Sequence, residues 1–341
     1  MATLKHIKGS MAAKLLPSRR VDSHKGQNGR VLIVGGSLEY YGAPVLSGLA
    51  ALHSGADLVY LYVPECNFDV CRSLYPDFFV RKYSGDFLTV EACDEIISLG
   101  REKCDCVLLG PGLGRREETL EAVKRIVNEL HIPTVLDADA IAVLKKLDRF
   151  PLDQQLAITP HSNEFRNLVD RDVVVNEDDP KSIILLRSIS MDLHINVLLK
   201  GAKDYVASQE GIVEINHTGN AGMTVGGSGD VLAGVVASFI AQGSDPYDAC
   251  RAAAYYVGKA GDLLQKQKGF NFAASEIALT MPFVLRGFAI LVAGTFSVVL
   301  AVLDLLLRGK MFGGIDKGEF AGFAVGGFCR GGFFLQEKRI L

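Results

Sequence analysis

Asn220-Ala221-Gly222-Met223-Thr224-Val225-Gly226-Gly227-Ser228-Gly229-Asp230 runs directly into Val231-Leu232-Ala233-Gly234-Val235-Val236-Ala237. The first part is a glycine-rich loop and the second opens an apolar helix. Glycine has no Cβ, so backbone N–H groups there can turn inward and approach a phosphate closely. A helix start adds a dipole that favours an anion. An aspartate at such a start is ordinarily an N-cap. Asp230 also stands where phosphates would converge, placed to take a proton from a substrate hydroxyl. No G-x-x-x-x-G-K-[ST] pattern occurs, so the loop has no Walker lysine. Its late position in the chain separates it from the dinucleotide fingerprint.

Upstream of this loop, short apolar runs alternate with helical patterns. Strands are expected at Val31–Val34, Leu58–Val63, Cys106–Leu109, Thr134–Leu136, Leu156–Ile158 and Val197–Leu199. Helical stripes cover Ala43–Ser54 and Glu117–Leu130. Tyr205–Ser208 and Gly211–Asn216 read as a hairpin with a two-residue Gln-Glu turn. The β–α rhythm implies an α/β, doubly wound, mostly parallel sheet flanked by helices. Polar and glycine-bearing segments follow the strands at Gly35-Gly36-Ser37, Gly110–Gly114, Asp137-Ala138-Asp139, Thr159-Pro160-His161 and Lys200-Gly201. In open α/β sheets the ligand crevice lies outside the carboxyl ends of the strands. Five such endings therefore converge on one rim.

The chain has 341 residues, with 36 Lys and Arg against 39 Asp and Glu for a net charge of −3, and is 49% hydrophobic. These proportions exclude a disordered, collagenous or disulfide-scaffold protein and argue against a nucleic-acid surface. Seven scattered cysteines, an odd number, fit reduced thiols and a cytoplasmic location. Residues 1–20 carry no signal peptide and read as an N-terminal helix or arm, with one domain over 21–286. The segment 287–341 differs in kind. Gly287–Leu307 holds a single ionisable group, Asp304, and would reach roughly 30 Å as a helix. Three readings stand open: a C-terminal membrane anchor, an apolar helix in an oligomer contact, or a non-native translation of a shifted frame.

Seven segments taken together resemble one family. They are His24-Lys25-Gly26 with Gly29–Ser37; Tyr41-Gly42-Ala43-Pro44; Gly110–Gly114; Leu136–Ala140; Thr159-Pro160-His161 with Glu164; Lys200-Gly201-Ala202; and Asn220–Asp230. Their order and spacing resemble the ADP/ATP-dependent NAD(P)H-hydrate dehydratases, a branch of the ribokinase-like kinases. The resemblance covers roughly 15–285. It implies repair of NADHX and NADPHX, nicotinamide rings hydrated at C6, by phosphorylating the C6 hydroxyl and eliminating phosphate. Phosphate departs far more readily than hydroxide.

The same resemblance assigns roles. Asp230 is the catalytic base and touches the hydrated ring, which Ala43, Gly112 and His161 also line. Lys200, Gly201, Ala202, Lys203, Asp204, Asn220, Gly226, Gly227, Ser228 and Gly229 bind the nucleotide, ADP or ATP, with a leaning to ADP from microbial members. Mg²⁺ accompanies it. Asp137 and Asp139, on one side if their strand continues, and Glu164 are the candidate metal neighbours. A separate NAD(P)HX epimerase is the expected functional partner and a tetramer the expected assembly, with membrane contact through the tail only. Plainer readings stand beside these: Gly110–Gly114 as a strand–helix turn, Lys200 as a surface lysine, His161 as a helix cap. Other functions compatible with the residues are a ribokinase-like small-molecule kinase of the thiazole or hydroxymethylpyrimidine type, and a membrane-tethered nucleotide-binding module without turnover.

Overall fold

A computed structural model describes residues 4–147, 150, 152 and 154–286. Residues 287–341, on which the anchor, oligomer-contact and shifted-frame readings bear, lie outside the described residues. Among the described residues no helix is long and apolar enough to cross a membrane.

Among the described residues ten strands form one sheet. They are β1 (Lys5–His6), β2 (Arg30–Val34), β3 (Leu58–Pro64), β4 (Phe78–Tyr83), β5 (Cys106–Leu109), β6 (Thr134–Leu136), β7 (Leu156–Ile158), β8 (Asn196–Leu199), β9 (Asp204–Ala207) and β10 (Val213–Asn216). Their order is β1-β10-β9-β8-β7-β6-β5-β2-β3-β4. Every pairing from β4 across to β8 is parallel, and β9 runs antiparallel to both its neighbours. The chain lays β3 and β4 on one side of β2, then crosses back to lay β5 through β8 on the other. The direction of winding therefore switches between β2 and β5, where a ligand crevice is expected.

Central strands such as β2 and β5 are nearly continuous apolar runs because both of their faces are covered. Alternation sends Val31 and Ile33 of β2 to one core and Leu32 and Val34 to the other. The first core is closed by helices α1 (Gly9–Ala12), α2 (Gly42–His53), α8 (Ser228–Ala241), α9 (Pro246–Lys268) and α10 (Ala274–Leu285). The second is closed by α4 (Cys93–Lys103), α5 (Glu117–Glu129) and α7 (Pro180–Asp192), with Phe165 of α6 (Ser162–Val169). Helix α3 (Glu65–Leu74) adds only buried Cys71 to the first core. Helix α8 is buried along its whole length from Val231 to Ala241, which suits its lack of a polar face. It lies backbone to backbone on α2: a Cβ on Gly234 would stand 2.2 Å from the Ser47 carbonyl oxygen.

One expectation changes. The hairpin turn is longer than two residues, since Ala207 faces Val213 and residues 208–212 connect them. A two-residue hairpin needs positive φ in its turn, which Gln209 and Glu210 resist. Gly211 takes that conformation instead (φ 81°), with its N–H bonded to the Ser208 carbonyl at 2.9 Å. The N-terminal helix or arm expected over 1–20 contains β1 and α1; β1 pairs with β10, and both Ile7 and Ala12 are buried in the first core.

Candidate active site

The glycine loop leaves β10 and reaches α8 through a short 3₁₀ turn, Ala221–Thr224, capped by the Asn220 side chain on the Gly222 N–H (3.0 Å). Gly227 then occupies the N-cap of α8 with φ 94°, a backbone state that excludes most side chains. Asp230 is consequently the third helical residue and not the cap. Among the described residues the N–H groups of Gly226 and Gly227 donate to no backbone or side-chain acceptor. Together with the first turn of α8 they form an electropositive concavity.

A single ammonium organises what faces it. Lys200, at the end of β8, bonds through Nζ to Asp137 Oδ1 at 2.8 Å. Its Nζ lies 3.1 Å from where a Cβ on Gly229 would stand, so the cation sits against the anion loop. Asp137, at the end of β6, is almost wholly buried and also accepts the Thr159 hydroxyl of β7's end at 2.6 Å. Burial by itself would lower the Lys200 pKa, but Asp137, Glu164 and Asp230 outweigh it and hold the ammonium above the usual lysine range. Burial pushes the Asp230 carboxyl up to about 7; repulsion from Asp137 and Glu164 adds to this and Lys200 opposes it. Burial likewise raises Glu164 against the opposing pull of Lys200. Three carboxylates share one ammonium, so the cluster favours retaining a proton, and Asp230 holds it near neutrality. That is the range a general base requires.

A cleft of about 660 Å³ opens beside the cluster. Its walls include Lys200, Gly201, Ala202, Asp204, Asn220, Ser228 and Gly229 from the predicted nucleotide set, with His161. Helix α9 closes the far side through Ala254, Val257 and Gly258. It packs so tightly that a Cβ on Gly258 would stand 2.1 Å from Thr218 Oγ1. Asp204 shapes the cleft from within: it accepts the Gly201 N–H at 3.2 Å and the Asn216 side chain at 3.0 Å, and burial raises its pKa to about 6. Lys203 does not line the cleft; it is exposed and ion-paired with Glu177.

Ala43 and Gly112 meet elsewhere, at the β2/β5 switch. A Cβ on Gly112 (φ 69°) would stand 3.1 Å from the Ala43 Cβ and 2.7 Å from the Tyr40 Cβ. The Gly36 N–H bonds to the Pro111 carbonyl at 2.8 Å, tying the two loops together. Helix α2 links this place to the anion loop, since a Cβ on Gly227 would stand 2.4 Å from Leu46 Cδ1 and Ser47 Oγ bonds to the Asp230 carbonyl at 2.9 Å. Asp230 thus stands between two regions, the cleft on one side and the Ala43–Gly112 contact on the other.

His161 both caps and lines. Its Nδ1 accepts the Asn163 N–H at 3.0 Å, its Nε2 lies 3.0 Å from Glu164 Oε1, and nearly half of the side chain remains exposed in the cleft. The expectation that Asp137 and Asp139 share one strand face does not hold. The strand ends at Leu136, and Ala138 turns left-handed (φ 49°) into a 3₁₀ helix. Asp139 bonds Arg115 at 2.6 Å while Asp137 bonds Lys200. Among the described residues no group of three or more His, Cys, Asp or Glu is placed to hold a metal ion. The Asp137–Lys200–Thr159 linkage was absent from the sequence reading, because it joins three strand ends that only the sheet order makes neighbours. Tyr40, whose Cβ lies against Gly112, stands one residue outside the recognised Tyr41–Pro44 segment.

Residues 31–282 match the family model for NAD(P)H-hydrate dehydratase. The ADP-dependent (S)-NAD(P)H-hydrate dehydratase of Nitrosopumilus maritimus is 33% identical over 286 residues, covering 83% of this chain and 98% of that one. The bifunctional NAD(P)H-hydrate repair enzyme Nnr of Methanothermobacter thermautotrophicus is 40% identical over 273 residues, 79% of this chain and 52% of that protein. The chain thus spans about half the length of the bifunctional relatives it matches. Among solved structures, the ADP/ATP-dependent NAD(P)H-hydrate dehydratase from Bacillus subtilis co-crystallized with ATP/Mg²⁺ superposes with a TM-score of 0.72 at 24% identity, over 84% of this chain and 99% of that one. The fold is therefore ribokinase-like.

Proposed function

The chain belongs to the NAD(P)H-hydrate dehydratase family, and on that premise we propose that it returns (6S)-NADHX and (6S)-NADPHX to NADH and NADPH at the expense of ADP or ATP. The observation that carries this reading is the Lys200 ammonium, which lies against the Gly229 backbone, bonds Asp137 and faces Asp230. A terminal phosphoryl group in the loop would meet backbone N–H groups and that cation. The acceptor hydroxyl would meet a carboxyl with a pKa of about 7.

The reaction divides into two steps. Asp230 takes the C6 hydroxyl proton as the oxygen attacks the terminal phosphorus, and the phosphoanhydride bond breaks. The loop N–H groups and Lys200 stabilise charge on the transferring oxygens, which is most of what such catalysis requires. The C6–O bond then breaks with phosphate as leaving group, and loss of a C5 proton restores the dihydronicotinamide. With ADP the products are AMP and phosphate, and the ADP-dependent relative favours that donor. Nucleotide-binding roles for Lys200, Gly201, Ala202, Asp204, Asn220 and Gly226–Gly229, and dinucleotide contacts for Ala43, Gly112 and His161, follow from this reading, while Lys203 is turned out to Glu177.

Mg²⁺ is generally held by one or two carboxylates together with substrate phosphates and several waters. Glu164 and Asp137, beside the phosphate pocket, fit an ion carried in on the nucleotide and reached through water. When bound it would neutralise phosphate charge. A separate epimerase, interconverting the hydrate's C6 configurations, would complement this activity. The test is NADHX with Mg²⁺ and either nucleotide, followed by the absorbance of the restored reduced ring. Recovery dependent on nucleotide is expected; its absence with both ADP and ATP overturns the reading.

A further inference from the structure

The loop that joins β2 to α2 carries an aromatic side chain beside the Ala43–Gly112 contact. Tyr40 is 54% exposed. Among the described residues its ring stacks on no other ring or cation, and its hydroxyl has no hydrogen-bond partner. Its backbone, by contrast, is held on several sides. The Tyr40 N–H bonds the Ser37 carbonyl at 3.1 Å. That carbonyl also accepts the buried Asn67 side chain at 2.9 Å, and the Leu38 N–H bonds the Asp86 carbonyl at 3.2 Å. Tyr40 Cβ and its carbonyl oxygen press on Gly112 so closely that a Cβ there would stand 2.7 and 2.8 Å from them.

A fixed base with a free ring is a preorganised platform, since ligand binding has little backbone freedom left to remove. The ring stands at the β2/β5 winding switch, where open α/β sheets take their ligands. It is also outside the cleft assigned to the phosphoryl donor, whose walls contain neither Tyr40, Ala43 nor Gly112.

We propose that Tyr40 is a specificity-determining residue whose ring stacks on a planar ring of the hydrated dinucleotide, and not on the phosphoryl donor. This rests on the dehydratase reading above. Aromatic–base stacking of this kind is worth about 5-fold to 150-fold in affinity when the ring is removed. The size of Gly112 follows from the same arrangement: a larger residue would displace Tyr40 from the crevice.

Steady-state kinetics of the wild type, Tyr40→Ala and Tyr40→Phe, with NADHX and ADP varied in turn, test it. Tyr40→Ala should raise KM for NADHX by about 5-fold or more while KM for ADP stays within about twofold. Tyr40→Phe, which keeps the ring, should restore the wild-type KM. An unchanged NADHX KM in Tyr40→Ala, an equal rise in both KM values, or failure of Tyr40→Phe to rescue overturns the proposal alone. A wild type inactive with either nucleotide overturns the dehydratase reading and this proposal with it.

Discussion

Replacing Asp230 by Asn should stabilise the nucleotide-free protein at pH 8 while removing turnover. Burial holds this carboxyl near pH 7, when an unfolded chain would leave it near 4. That is about three pH units at ~1.4 kcal/mol each, so ionising Asp230 in place costs the folded state ~4 kcal/mol. The folded pKa lies above the unfolded one. Stability linked to the protonated form is therefore complete below about pH 4, declines between about 4 and 7, and is lost above 7. Asparagine has the same shape without the charge and escapes the decline. Urea unfolding without nucleotide should show Asp230→Asn more stable than wild type at pH 8, by up to ~4 kcal/mol, with the difference shrinking toward pH 4. Asp204, raised to about 6 for its own reasons, is present in both proteins and cancels. An Asn variant no more stable than wild type at pH 8, or a difference that does not vary with pH, refutes the electrostatic reasoning. Near-normal turnover in the same variant would remove Asp230 as the base.

Other consequences follow from the same geometry. In the wild type, kcat/KM for NADHX should fall about tenfold per pH unit below about pH 7 as Asp230 is protonated; a profile flat down to pH 5 contradicts this. Lys200→Met leaves the buried Asp137 carboxylate without its cation and should cost ~3–5 kcal/mol in urea unfolding. Adding Asp137→Asn should return most of that loss, and a purely additive double variant would show that the pair is not coupled. Gly234→Ala should lower the melting temperature, because backbone lies on both sides of the 2.2 Å contact; the cost is roughly 1–3 kcal/mol and exceeds the ~1 kcal/mol gain in helix propensity. Chain 1–286 should show the same nucleotide-dependent turnover of NADHX as the full chain, as proposed above, since the family match ends at residue 282; loss of that turnover in a folded 1–286 protein would give the tail a role.

Much of the architecture is legible in the sequence. Strands at 106–109, 134–136 and 156–158 appear with the expected bounds, because each is a short apolar run closed by glycine, aspartate or proline. Strand β4 and helices α3 and α4 escaped the reading, since Phe78–Tyr83 mixes charge with aromatics at an edge and those helices are amphipathic without strong caps. Lys203 shows the limit of assigning a site by neighbourhood. It stands three residues from Lys200, yet the turn into β9 sends it out to Glu177.

Local chemistry is what the linear order of residues determined here: glycines where N–H groups must face an anion, apolar runs where both faces of a strand are covered, and an acid at a helix start. Those properties reside in single residues and their immediate neighbours. Tertiary structure decided which strand ends stand side by side, and so which charges meet. Asp137, Lys200 and Asp230 are far apart along the chain. Burial, reinforced by the repulsion of Asp137 and Glu164 and opposed by Lys200, turns a carboxyl that would ionise near pH 4 into one poised near 7.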